Sequence, residues 1–100
     1  MQSMKAVFLD RDGTIIVEPP GERLIKLKDI ELFPDTIEAL ALLAKNDFKV
    51  IIITNQVGIA EGLIDVGKFH GLNNSVLDML KPSGVEILQT YFCPHGPEDD

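Results

Sequence analysis

The chain has 100 residues, of which nine are basic and sixteen acidic, for a formal net charge of -7 with 45% hydrophobic residues. That length suits one domain and that composition a globular one, while the acidic surplus works against bulk attraction to nucleic acid or anionic lipid. No apolar run approaches the ~20 residues of a membrane helix, no leader-like segment opens the chain, and the single cysteine, Cys93, excludes an internal disulfide and suits a cytoplasmic setting.

Lys5 to Leu9 reads as a buried strand that stops at Asp10-Arg11-Asp12-Gly13. Thr14 to Val17 is again apolar, and Glu18-Pro19-Pro20-Gly21 marks a loop. Leu24 to Phe33 has room for a short extended piece. Pro34 suits a first helical position, with Asp35 and Glu38 at the positive end of the dipole. Ile37, Leu40, Ala41, Leu43 and Ala44 supply the apolar face, and Asn46-Asp47 the stop, with Asn tolerating the left-handed conformation. Phe48 to Ile53, FKVIII, has the continuous apolarity of a strand covered on both faces, as in a parallel sheet.

Thr54 to Gly62 is expected to be a loop. Asp65 can cap a second helix with Val66, Phe69, Leu72, Val76, Met79 and Leu80 inward. Gly67, Gly71, Asn73 and Asn74 weaken that helix. Lys81-Pro82-Ser83-Gly84 ends it, and Val85 to Phe92 is a third strand. Strand, helix, strand, helix, strand predicts right-handed parallel crossovers and an α/β sheet.

Two polar motifs fall at the carboxyl ends of predicted strands, where open parallel sheets bind ligands. Asp10-Arg11-Asp12-Gly13-Thr14 follows the first, and Thr54-Asn55-Gln56 follows the second. Alone, the first reads equally as a turn, and the second reads better as a polar turn than as a site. Together, on neighbouring strands, they converge on one crevice. A calcium loop is excluded because Thr14 and Ile15 break its ligand pattern, and no Walker loop occurs. Two carboxylates beside a phosphate dianion repel unless a cation or a proton intervenes, and oxygen donors of this kind suit Mg²⁺. A carboxylate can also attack phosphorus, and its neighbour can relay protons.

Val7 to Ile16 (VFLDRDGTII), Ile51 to Gly58 (IIITNQVG) and Tyr91 to His95 (YFCPH) closely resemble the haloacid dehalogenase superfamily phosphatases. Within it they are similar to the heptose 1,7-bisphosphate phosphatase and histidinol-phosphatase branch. The resemblance covers residues 1–100 and implies a Rossmann-like, three-layer α/β fold. It also implies that this chain is the N-terminal portion of the domain, lacking the C-terminal strands and any cap. Asp10 would be the nucleophile and Asp12 the proton donor and acceptor. Thr54 and Asn55 would hold the phosphoryl group, with Arg11 and Gln56 near the substrate. Asp10 and Asp12 would bind Mg²⁺, and Cys93 with His95 would form half of a zinc site.

The expected activity is hydrolysis of a small phosphorylated metabolite, a sugar bisphosphate or histidinol phosphate, through an aspartyl-phosphate. The competing expectation is an incomplete fragment that binds metal or phosphate weakly, or serves as an interaction module. Neither nucleic acid nor membrane is expected as a partner. The first strand is expected to leave an unpaired edge that invites self-association.

Overall fold

The computed structural model describes residues 5–18, 26–56, 59, 62 and 64–93. Its main elements are β1 (Lys5–Asp10), α1 (Thr36–Lys45), β2 (Phe48–Asn55), α2 (Val66–Leu80) and β3 (Ile87–Cys93). The three strands form one sheet in the order β1-β2-β3, and both pairings are parallel. The alternation expected from the sequence is therefore present.

Burial splits the sheet into two unlike faces. Val50 and Ile52 of β2 are fully buried, and they share one core with Leu40 of α1 and Leu72, Val76 and Leu80 of α2. Both helices therefore cover the same face, as two successive right-handed crossovers in one direction require. On the opposite face Phe8 is 61% exposed, Ile53 43% and Tyr91 56%. The reading of Phe48 to Ile53 as covered on both faces is corrected among the described residues. An unbroken apolar run specifies that a strand can be covered twice, and α1 and α2 supply one cover.

Boundaries moved for local reasons. β2 continues through Thr54 and Asn55, residues expected in a loop, because both pair with β3, opposite Phe92 and Cys93. The helical hydrogen bonding of α1 begins at Thr36, not Pro34. Pro34 sits inside a turn closed by the Thr36 N–H donating to the Phe33 carbonyl at 3.1 Å, a position that its fixed φ favours. The left-handed residue after α1 is Asp47, at φ 65°, rather than Asn46. Leu27–Asp29 forms a single 3-10 turn, and Leu32 makes an antiparallel bridge with Ile16, the short extended piece expected in that stretch.

α2 begins as read. The Asp65 carboxylate accepts from the Lys68 N–H at 2.7 Å, satisfying one of the free donors of the first turn. Its buried face is Phe69, Leu72, Asn73, Val76 and Leu80, whereas Val66 and Met79 are exposed. Lys81–Ser83 tightens into a 3-10 turn and Gly84, at φ 76°, redirects the chain towards β3. β3 starts at Ile87 rather than Val85, and an irregularity opposite Val50 and Ile51 shifts its register by one residue. Because side chains alternate along a strand, that shift turns Thr90, beside Ile52, to the helix-covered face.

Candidate active site

β1 ends at Asp10, and the next six residues fold back on themselves. The Arg11 carbonyl accepts from the Ile15 and Ile16 N–H groups at 2.9 and 3.0 Å, and the Gly13 N–H donates to the Ile16 carbonyl at 2.8 Å. Gly13 stands at φ 87° with open space where a Cβ would be, so its constraint is conformational and not steric. Ile15 and Ile16 are 2% and 0% exposed and belong to the core. The loop is therefore nailed down by its own apolar end.

A second fastening comes from α1. The buried Thr36 hydroxyl donates to the Ile15 carbonyl at 2.8 Å. Thr36→Val keeps the shape and strands that carbonyl, and is expected to cost about 1–3 kcal/mol. Urea denaturation followed by circular dichroism reads this as a lower midpoint at unchanged slope.

The two motifs meet. Asp10, Arg11, Asp12, Thr54 and Asn55 line a single open cavity of about 300 Å³, together with Glu18 and Ile53. The cause is the register: Asp10 pairs opposite Ile53, so the ends of β1 and β2 lie side by side. Thr54 is 5% exposed, and Asn55 is exposed. Gln56 is buried and sits behind Thr54, its amide donating to the Thr54 hydroxyl oxygen at 2.7 Å. Its backbone N–H donates to the Cys93 carbonyl at 2.8 Å, fixing the rim to β3.

Arg11 is placed differently from its neighbours. Its side chain is 0% exposed, and Nε lies 2.6 Å from Oδ1 of Asp12. Nη2 donates to Asp12 Oδ2 at 3.2 Å and Nη1 to Asn73 Oδ1 at 3.2 Å. Helix propensity marks Asn73 only as a residue that weakens α2. A polar side chain four residues after Phe69 and three before Val76 falls on the apolar face, and that misplacement was the available clue.

The cavity's electrostatics are one-sided. Asp10, Asp12 and Glu18 bring three acids to it, and its one basic residue, Arg11, has a buried guanidinium already engaged by Asp12. An anionic ligand would meet repulsion unless a cation came with it. Among the described residues, no three His, Cys, Asp or Glu side chains are grouped to hold a metal. Mg²⁺ asks for less, one or two carboxylates with water and substrate oxygens completing the shell, and the donors present fit that. Of the zinc pair, Cys93 is a free, exposed thiol at the end of β3, and His95 lies outside the described residues. No helix among those residues is long and apolar enough to cross a membrane.

A parallel sheet whose first strand delivers a DxDGT loop beside a Thr-Asn rim is a haloacid dehalogenase-type α/β fold, with no separate cap among the described residues. The chain belongs to the polynucleotide kinase 3 phosphatase family, whose profile matches residues 5–96. It is 38% identical over 98 residues to a probable D-glycero-D-manno-heptose-1,7-bisphosphate 7-phosphatase of Thermoplasma acidophilum, covering 98% of this chain and 60% of that protein. It is also 38% identical over 96 residues to the histidine biosynthesis bifunctional protein HisB of Blochmanniella floridana, covering 95% of this chain and 27% of that one. The D,D-heptose 1,7-bisphosphate phosphatase of B. bronchiseptica, solved with magnesium and phosphate, superposes with a TM-score of 0.86 at 30% identity. That match covers 96% of this chain and 53% of the solved one. The chain thus spans little more than half the length of the heptose bisphosphate phosphatases it matches here.

Proposed function

We propose that this chain carries the nucleophile-bearing part of a Mg²⁺-dependent phosphomonoester hydrolase for a small sugar phosphate. The observation that supports it is the convergence of Asp10, Asp12, Thr54 and Asn55 on one cavity. An Asp10 carboxylate oxygen attacks phosphorus. A P–O bond to Asp10 forms as the ester P–O bond breaks, and Asp12 gives a proton to the departing oxygen. Asp12 then takes a proton from water, which attacks phosphorus, releases phosphate and restores the Asp10 carboxylate. Thr54 contributes a donor: its oxygen accepts from Gln56, and its own proton is the one offered to a phosphoryl oxygen. Asn55 offers a second, exposed amide on the same rim. Mg²⁺, held by the Asp10 carboxylate and the Asp12 backbone carbonyl, would neutralise charge between carboxylates and phosphate.

The open cavity suits a small ligand. The sugar bisphosphate named for two of the relatives is the leading substrate class, and histidinol phosphate the next. The formal charge of -7 and the acids in the cavity weigh against a polynucleotide end. Phosphate release is measured from a heptose 1,7-bisphosphate, histidinol phosphate and a 3′-phosphorylated oligonucleotide, with Mg²⁺ and with EDTA. Release from the sugar in Mg²⁺, abolished by EDTA, is expected. Release that ignores EDTA, or preference for the oligonucleotide, overturns the reading.

The share of the relatives' length that the chain spans favours a second reading, in which it binds Mg²⁺ and phosphate without turnover. Calorimetric binding in the absence of phosphate release would select that reading. Zinc held by Cys93 and His95 alone would have two of the four ligands a closed site takes, so weak binding is expected. Self-association through the β1 edge is also part of this proposal. β1 pairs only with β2 among the described residues and carries the exposed Phe8.

A further inference from the structure

We propose that Arg11 is a positioning residue that sets the Asp12 carboxylate, and that its own position is set from β3 through Asn73 and Thr90. The inference rests on the reading of Asp12 given above, and it assigns to Arg11 a role other than contact with substrate.

The chain of contacts is continuous. Thr90 accepts from Asn73 Nδ2 at 3.2 Å, Asn73 Oδ1 accepts from Arg11 Nη1 at 3.2 Å, and two further guanidinium nitrogens reach both Asp12 oxygens. Phe69 closes one side, its ring centroid 5.5 Å from the guanidinium carbon. Two elements therefore meet at one buried cation, the loop after β1 and helix α2, and strand β3 joins them through Asn73. Each partner is otherwise costly where it stands. Asn73 is 4% exposed on an apolar helix face, and burying an amide or a guanidinium is unfavourable unless its hydrogen bonds are made. Here they are made; no buried side-chain nitrogen or oxygen among the described residues lacks a partner.

Direction distinguishes positioning from mere packing. The guanidinium fork is rigid and planar, and a bidentate contact fixes the orientation of the carboxylate as well as its distance. The carboxylate it fixes is 16% exposed and lines the cavity, while the fork itself is out of reach of solvent. An arginine meant to grip substrate would present its nitrogens to solvent in the cavity, whereas each nitrogen of this buried fork bonds Asp12 or Asn73. The register shift in β3 is part of the device. Without it Gln89, not Thr90, would stand beside Ile52 on the face that α2 covers.

The test uses Thr90→Val, Thr90→Ser and Asn73→Leu in the full chain. The carboxyl ¹³C resonance of Asp12 and the Nε–H resonance of Arg11 are followed by NMR, with no substrate present. Thr90→Val and Asn73→Leu are expected to shift both, although neither residue touches Asp12, and Thr90→Ser is expected to leave both in place. Resonances that ignore Thr90→Val overturn the proposal, and this variant, on a half-buried strand residue, keeps the test open even if Asn73→Leu fails to fold. Where phosphate is released, Thr90→Val is expected to lower kcat by about tenfold and Asn73→Leu by up to about a hundredfold, with KM unchanged. A raised KM at constant kcat would instead make Arg11 a substrate contact and sink the proposal. Absence of turnover in the parent chain, with the NMR coupling intact, would count against the hydrolase reading alone.

Discussion

Asp10→Asn is expected to lower phosphate release by about three orders of magnitude or more wherever the parent protein releases it, since a nucleophile has no substitute in the proposed route. The amide is the same size as the carboxylate but has no free charge to form a bond with phosphorus. Folding should be untouched. Asp10 is exposed at the end of β1, and what holds it in the sheet is backbone pairing beside Ile53, which the substitution keeps. Removing one of three acids around the cavity also relieves repulsion, so stability in urea should stay within about 0.5 kcal/mol of the parent. Steady-state assays in Mg²⁺ beside a denaturation curve separate the two effects. A variant that keeps its turnover moves the nucleophile to another side chain.

Ile52→Ala and Ile53→Ala are expected to differ sharply although they are neighbours of identical type. Ile52 is 0% exposed, within a core built from both helices, so truncation leaves a cavity and should cost about 2–5 kcal/mol. A domain of this size commonly has only about 5–15 kcal/mol to lose, and cooperative unfolding should become marginal. Ile53 is 43% exposed on the uncovered face, and its truncation should stay within about 0.5 kcal/mol. Urea midpoints of the pair provide the check. An equal loss at Ile53 would show that the outer face is covered in solution.

That contrast also marks how far the sequence could be read. FKVIII specified a strand, because β-branched residues in an unbroken run fit a pleated surface, and the two motifs specified a shared rim, because both close neighbouring parallel strands. Which face the helices cover was not legible in the run itself, since Ile52 and Ile53 are the same residue. Residue type and place at strand ends single out Asp10, Asp12, Thr54 and Asn55, the resemblance implies their roles, and the four line one cavity. Arg11 was expected near the substrate, and a long side chain's direction is set by packing that spacing does not encode. Helix propensity counts its partner Asn73 only as a weak point in α2, and tertiary contacts override that propensity.

The lopsided sheet has a thermodynamic consequence. Phe8, Ile53 and Tyr91 are exposed among the described residues, so unfolding of this part of the fold creates less fresh apolar hydration than in a domain covered on both sides. The heat-capacity increment of melting should fall below the ~1.2–1.5 kcal/mol/K usual for a hundred residues. The free-energy dome against temperature is correspondingly shallow, and warming or chilling by a few degrees changes the folded fraction less abruptly than for a thicker molecule.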